Sequence, residues 1–322
     1  MRKTILTTNI PEAARRLLDG EVIGMPTETV YGLAGIINSD TAISNIFKVK
    51  GRPADNPLIV HIAGLSQLDD VAAEVPELAR QLSRAFWPGP LTMLLKKRST
   101  VPDVVTAGLE TVAVRMPAHP AALALLSIVG EPVAAPSANP FGAISPSEAA
   151  HVLKYFDGKI PLILDGGPSI VGIESTIVGF EGTDVVVYRH GSITAGQIMA
   201  VTGATFIDRH SGAAKVAPGM YPRHYAPATP LVFSNDLQKL AEQHKGKKIG
   251  VLYYGEFFIN NAVTISCSLS PSADMDEVAA NLYGTLHRLD GLGLDLIIVQ
   301  EFPAEGVGAA LNDKLKRASW QL

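Results

Sequence analysis

Between residues 26 and 61 the chain sets out three hydroxyls, Thr27, Thr29 and Tyr31, then three cations, Lys48, Lys50 and Arg52, then Asn56 and His61. Cations two apart point the same way on an extended segment, and Gly51 between Lys50 and Arg52 would let a ligand approach the backbone. Such a pair suits a polyphosphate. The pattern also describes solvated charges beside a helix end, but Pro53 and Asn56-Pro57 constrain the loop exit and favour a ligand. Arg115 stands in the apolar run Val112 to Met116, where an arginine needs an anion to meet or must reach out to water. Thr111, four residues earlier, shares its side of an ideal strand. Ser137 and Asn139, two apart after the strand Pro132 to Ala135, either offer donors to one ligand or tie a turn together. Ser145 follows closely, and Ser175, Thr176 and Arg189 repeat the theme at later strand ends. These residue types stabilise charge and donate hydrogen bonds around an anionic ligand such as a nucleotide.

Several chemistries are excluded. The chain has no G-x-x-x-x-G-K-[ST] phosphate loop, no G-x-S-x-G nucleophile elbow and no H-E-x-x-H zinc motif. Cys267 is alone, so neither an internal disulfide framework nor a multi-cysteine metal site can form, and a reducing compartment is expected. Histidines 61, 119, 151, 190, 210, 224, 244 and 287 lack zinc-ligand spacing, so a protein-bound metal is not expected and any metal should arrive with substrate phosphates.

The elements that position these residues read as mixed α/β. An opening helix runs through Leu17 and Leu18 to Gly20, and a strand Val22 to Met25 leads into PTETVYGLAG. A helix over Thr41 to Lys48 precedes the Lys-Gly-Arg turn, and Leu58 to Ile62 reads as a strand. A helix over Glu77 to Phe86 is stopped by Trp87-Pro88-Gly89-Pro90. Strands are predicted at Leu91 to Leu95, Val112 to Met116, Val133 to Ala135, Leu162 to Leu164, Ser175 to Val178 and Val185 to Tyr188, with a helix at Ala121 to Ile128. Residues 208–230 break every periodicity and carry Pro218, Gly219, Pro222, Pro227 and Pro230, which predicts a linker. Unlike an inert spacer it bears Tyr221, Arg223, His224 and Tyr225, which can reach a ligand. Beyond it come a strand at Leu231 to Phe233, a helix, a strand at Ile249 to Tyr253, a helix Asp274 to Asp290 opened by an Asp274/Glu277 capping box, and a strand Leu294 to Val299. The expected organisation is 1–207, a linker at 208–230, and a smaller doubly wound unit at 231–322.

Length and composition agree: 322 residues suggest two domains, and 29 Gly with 22 Pro argue for strands and shaped loops rather than a bundle. The charged fraction of 18% is below the ~25% of typical globular proteins, leaving little for a disordered tail. The start of the chain has no long apolar core of a signal peptide, and the longest apolar stretch, Ala121 to Val129, is too short to span a bilayer, so a cytoplasmic protein is expected.

Seven stretches, PTETVYGLAG, KGRPADNPLIVHI, WPGPLT, VAVRMP, APSANPFGAISP, GIESTIV and APGMYPRHYAP, together span Pro26 to Pro227 and occur in the order found in a known family. The chain resembles the YrdC/Sua5 family, the L-threonylcarbamoyladenylate synthases, in the longer form with a C-terminal Sua5 domain. The resemblance implies a twisted mixed sheet joined to a Rossmann-like module, and the reaction of L-threonine, bicarbonate and ATP to threonylcarbamoyl-AMP and pyrophosphate, first step of the tRNA t6A modification. It implies that Lys50 and Arg52 act in catalysis, and that these two with Asn56, Thr111, Ser137, Asn139, Ser145, Arg189, His224 and Tyr225 surround ATP. Thr29, Tyr31, His61, Arg115 and Ser175 are implied for threonine, with Arg115 meeting its carboxylate. Mg2+ is implied with the ATP phosphates, as are downstream t6A transferase partners, with tRNA contact not required for this step. A methyl stands at Ala135, where some relatives carry a hydroxyl.

Two rival classes are weighed against this. Lys48-Lys50-Arg52 and Lys96-Lys97-Arg98 suggest an RNA-binding module, opposed by the net charge of −4 and by the lack of interleaved aromatics. Another carbamoyl-transfer enzyme, such as the hydrogenase-maturation relatives, carries acylphosphatase and zinc-finger regions with no counterpart here.

Overall fold

The computed structural model describes residues 3–210, 221 and 224–319. Most of the predicted linker, with Pro218, Gly219, Pro222 and Arg223, lies outside the described residues. The N-terminal strands are β1 (Ile5–Thr7), β2 (Ile23–Met25), β3 (Gly32–Ile36), β4 (Ile59–His61), β5 (Ala72–Glu74), β6 (Leu91–Lys97), β7 (Thr111–Arg115), β8 (Val133–Ala134), β9 (Leu162–Leu164), β10 (Thr176–Glu181), β11 (Asp184–Arg189) and β12 (Phe206–Asp208). Among the described residues they form one mixed sheet in the order β1-β9-β2-β3-β8-β4-β7-β6-β10-β11-β12, with β5 added beside β6. The expected α/β class and twisted sheet are present.

Register places the chemistry. β4 and β7 are parallel with His61 opposite Arg115, β6 runs antiparallel to β7, and β10 is parallel to β6 and antiparallel to β11. The carboxyl ends of β4, β7 and β11 therefore share one edge of the sheet with the amino ends of β6 and β10. His61, Arg115, Ser175 and Arg189 sit at that edge because of strand direction alone. β3 was not anticipated: its sequence, GLAGI, carries two glycines that weaken any strand signal, yet Gly32 lets Ala135 close to 3.0 Å, and Gly35 lets Ala42 and Ile46 of helix Asp40–Lys50 close to 3.1 and 3.2 Å, of where a Cβ would stand.

The second sheet is β13 (Leu231–Ser234), β14 (Ile249–Tyr253), β15 (Ile265–Ser268) and β16 (Leu296–Gln300), all parallel in the order β13-β16-β14-β15. Alternate side chains of its strands face opposite ways: Val232, Val251 and Ile298 pack with Leu237 and Ala241 of one helix, while Leu231, Ile297 and Val299 pack with helices Met275–Asp290 and Gly306–Ala318. The second core also takes in Val30, Ile144, Ile173 and Tyr225, so the two units share apolar packing. The capping box is half formed. Asp274 caps as expected, accepting from the amides of Asp276 and Glu277, but the Glu277 carboxylate instead accepts from Ser270 Oγ at 2.5 Å, and Ser270 Oγ accepts from the Asp274 amide.

Candidate active site

A cleft enclosing about 570 Å³, mouth included, opens at the sheet edge described above. Thr27, Thr29, Arg52, His61, Arg115, Ser137, Glu174, Ser175, Arg189, His224 and Tyr225 line it, with Val30, Gly32, Ile59, Ala135 and Pro136 as apolar or backbone surface. Three guanidinium groups against one carboxylate make the lining cationic although the whole chain is acidic.

Each arginine is held by buried partners. Arg52 donates from Nε to Asn56 O at 3.1 Å and from Nη2 to Asn56 Oδ1 at 2.7 Å and Pro57 O at 2.6 Å, leaving Nη1 without a partner among the described residues. Burial pulls its pKa down to about 9, so it remains the cationic form at neutral pH. Arg189 donates from Nε to Ser175 O and from Nη2 to Ser175 Oγ, both at 2.9 Å, and Ser175 Oγ is 2.7 Å from Thr92 Oγ1. Arg115 donates to Gly89 O and to Thr29 Oγ1, and its Nη2 lies 2.6 Å from Glu28 Oε1 in a buried ion pair. The anion that the apolar strand demanded for Arg115 is thus supplied by the protein. Neither Nη2 nor the two Glu28 oxygens make a hydrogen bond of proper angle among the described residues, so the pairing is coulombic. Both cleft histidines are neutral. Burial, reinforced by Arg115, lowers the His61 pKa to about 3, and burial plus Lys50, Arg52, Arg189 and Arg317 drives that of His224 well below its usual value. Their Nδ1 atoms are buried without hydrogen-bond partners among the described residues.

Lys50 and Arg52 are not on an extended segment, which corrects the expected geometry. Lys50 is the last residue of the helix Asp40–Lys50, and Gly51 caps it in the left-handed region at φ 61°. The two side chains therefore diverge. Lys50 Nζ donates to Ser137 O and, at 2.6 Å, to Asn139 O, tying the Lys-x-Arg loop to the Ser-x-Asn turn rather than lining the cleft. Burial pushes its pKa well down. Truncation to alanine is expected to lower stability as well as turnover, since two carbonyls would lose their donor.

The remaining expected residues are distributed as follows. Asn56 braces Arg52. Asn139 Nδ2 donates to Pro140 O and Ala143 O, so the turn alternative describes that side chain, while Ser137 lines the cleft. Ser145 Oγ donates to Glu174 Oε1 at 2.5 Å. Tyr31 points away from the cleft lining, its hydroxyl donating to Gly167 O at 2.7 Å. Thr111 opens β7 opposite Lys96, at the far end of the strand from Arg115. Glu28 and Glu174 were missed, although both lie inside quoted motifs; a carboxylate next to buried hydroxyls and arginines was the available signal.

The described residues of the linker pack beside the cleft, with His224 and Tyr225 in its lining. The His224 amide donates to Arg317 O, the Ala226 amide to Gly142 O, and Arg317 Nη1 to Tyr221 O, so residues 221 and 224–226 are laced between the Ser-x-Asn segment and helix Gly306–Ala318. Phe141 packs edge-on against Tyr221 at 5.0 Å and His224 at 5.7 Å. Tyr225 is a non-glycine residue at φ 64°, a conformation that only surrounding contacts sustain.

Residues 15–191 match the Sua5/YciO/YrdC family, described as "Telomere recombination", and residues 193–319 match the "Threonylcarbamoyl-AMP synthase, C-terminal domain". The chain belongs to the Sua5/YrdC family. It is 42% identical to the threonylcarbamoyl-AMP synthase of Bacillus subtilis, covering 98% of this chain and 94% of that protein. It is 39% identical to the Pyrococcus abyssi enzyme of the same name, with 99% and 96% covered. The crystal structure of P. abyssi Sua5 complexed with L-threonine superimposes with a TM-score of 0.90 over 98% of both chains. As a member of the Sua5/YrdC family in its two-domain form, this chain places the division between family segments near residue 192, whereas its first sheet continues through β12 to Asp208.

Among the described residues one group could hold a metal: His190, Asp208 and His210, outside the cleft lining. The histidine rings take one Asp208 oxygen each, at 3.0 and 2.6 Å, which already satisfies the carboxylate.

Proposed function

We propose that the chain catalyses the reaction of L-threonine, bicarbonate and ATP to threonylcarbamoyl-AMP, pyrophosphate and water. The observation that carries this reading is the convergence of Arg52, Arg115 and Arg189 with the hydroxyls of Thr29, Ser137 and Ser175 in one cleft, in a chain collinear with threonylcarbamoyl-AMP synthases. The threonine amine and bicarbonate give a carbamate with loss of water. A carbamate oxygen attacks the α-phosphorus, the bond to the bridging oxygen breaks, and pyrophosphate leaves with that electron pair. The step needs alignment and charge stabilisation rather than a strong base. Arg52 and Arg189 are assigned to the phosphates, Arg115 with Thr29 and His61 to threonine, and His224 with Tyr225 to excluding water from a product that hydrolyses readily. Lys50 supports this from behind the Ser137–Asn139 turn.

Mg2+ is proposed to enter as Mg·ATP. Glu174, the sole carboxylate among the described lining residues, is engaged by Ser145 and Tyr283, so phosphates and water would hold the ion. Downstream transferase partners and a cytoplasmic location belong to the same proposal; no described helix is long and apolar enough to cross a membrane. An RNA-binding role gains nothing from Lys96 and Lys97, which are ion-paired with Glu74 and Asp103.

The test is pyrophosphate release with each substrate omitted in turn. Release should require both L-threonine and bicarbonate. ATP turnover indifferent to threonine, or salt-sensitive RNA binding without threonine-dependent turnover, overturns the reading.

A further inference from the structure

Glu174 is an unexpected group for a polyphosphate site. Its carboxylate is buried, lines the cleft, and would repel ATP phosphates if uncompensated. The compensation comes from two helices of the C-terminal unit. Tyr283, on Met275–Asp290, donates its hydroxyl to Glu174 Oε2 at 2.9 Å, and Lys314, on Gly306–Ala318, sets its ammonium 3.9 Å from the same oxygen. Lys314 is 1% exposed, donates to His190 O at 3.0 Å, and lies 5.9 Å from the centre of the Tyr225 ring. That ring in turn stacks toward Tyr283 at 6.0 Å.

The loop bearing Glu174 is shaped for this approach. Gly172 has φ 74°, and a Cβ there would stand 2.3 Å from Ala279 O and 2.5 Å from Ala280 Cα of helix Met275–Asp290. A glycine at this position lets that helix come close enough for Tyr283 to reach the carboxylate. A buried lysine whose ammonium faces a carboxylate and a carbonyl costs more than an apolar residue of similar size in the same place. Its use here is electrostatic.

We infer that Lys314 and Tyr283 are positioning residues through which the C-terminal unit neutralises and orients Glu174 and steadies Tyr225, so that the cleft accepts ATP. The inference deepens the synthase reading and rests on it. Neither residue lines the cleft, and each acts through Glu174 or Tyr225.

The experiment measures kinetics and melting temperature on the full chain. Lys314→Met should raise KM for ATP by about tenfold, leave kcat within about threefold, and be rescued to within about threefold of the parent KM when Glu174→Gln is added. Rescue by removing the opposite charge is a signature that a merely structural lysine would not give. An unchanged KM in a folded Lys314→Met chain, or a double variant no better than the single, overturns the inference. Should Lys314→Met fail to fold, Tyr283→Phe decides: a KM for ATP raised by about threefold supports the inference, and an unchanged one overturns it. Titration calorimetry with ATP alone reads the same affinity changes without turnover. A parent chain that binds ATP yet shows no threonine-dependent pyrophosphate release therefore sinks the synthase reading, while the calorimetric ranking of the variants still decides the inference.

Discussion

The two sides of the cleft are built in different ways. On the sheet side, His61, Arg115, Ser175 and Arg189 are set by strand direction and register, each within one or two residues of a backbone ladder. On the opposite side, His224 and Tyr225 belong to irregular chain, and their position depends on Phe141, the Arg317 carbonyl, Tyr283 and Lys314, drawn from three distant parts of the sequence. The sheet side is held by backbone ladders and an apolar core beneath them. The linker side is as good as its long-range packing. One wall thus rests on local backbone pairing and the other on contacts far apart in sequence.

The largest effect is expected from removing a charge of the cleft that neither wall supplies, on the loop after helix Asp40–Lys50. Arg52→Ala should lower threonine-dependent pyrophosphate release by about 10²- to 10³-fold; a loss under about tenfold would mean that Arg52 only braces its loop. Next in size, Gly172→Ala should push helix Met275–Asp290 away and lower stability by about 3 kcal/mol in urea titration. Gly167, at φ 81° but with nothing within 4 Å of a Cβ, is the internal control. Its alanine variant should lose only about 1 kcal/mol of backbone strain. Equal losses at the two glycines would remove close docking as the explanation.

Acid should act in the same direction on both units, through His61 in the first sheet and His287 on helix Met275–Asp290. His61 and His287 each have a pKa lowered to about 3, His61 by burial and Arg115, His287 by burial and by His151, stacked 3.8 Å away. A neutral histidine in the fold with an ordinary one in the unfolded chain means that the unfolded state binds more protons between those values. Stability should therefore be full above about pH 6.5 and fall toward pH 3, by up to about 1.4 kcal/mol per pH unit for each histidine. His287→Gln should flatten part of that slope in thermal melts, and an unchanged slope would show that the stacked pair does not titrate on unfolding. The smallest effect is expected at Thr111, which lies outside the cleft lining: Thr111→Ala should change turnover by less than about twofold, and a larger loss would extend the site along β7.

Legibility followed the same division. His61, Arg115 and Ser175 were readable because each sits at the end of an apolar run that reveals a strand, and their shared edge follows from pairing direction, whereas Thr29 stood out only as one of three hydroxyls in a loop. The Lys50–Arg52 pair misled, since a period-two reading assumes extended backbone and Gly51 instead turned the chain at a helix end. Glu174 stood in plain view within GIESTIV but carried no local sign that helices over a hundred residues away would meet it. Lys314 had no signal at all: a lysine in an amphipathic C-terminal helix reads as solvated, and here it is 1% exposed.

The amino-acid sequence alone determined the α/β class, most strands of the first sheet and the family to which the chain belongs, because these depend on short-range periodicity and on motif order. Tertiary structure alone decided which motif residues line the cleft, which brace others, and that the C-terminal unit meets the lining carboxylate Glu174 through Tyr283 and Lys314. The reason is physical: strand and helix signals are local, whereas compensation of a buried charge depends on where the remainder of the chain comes to lie.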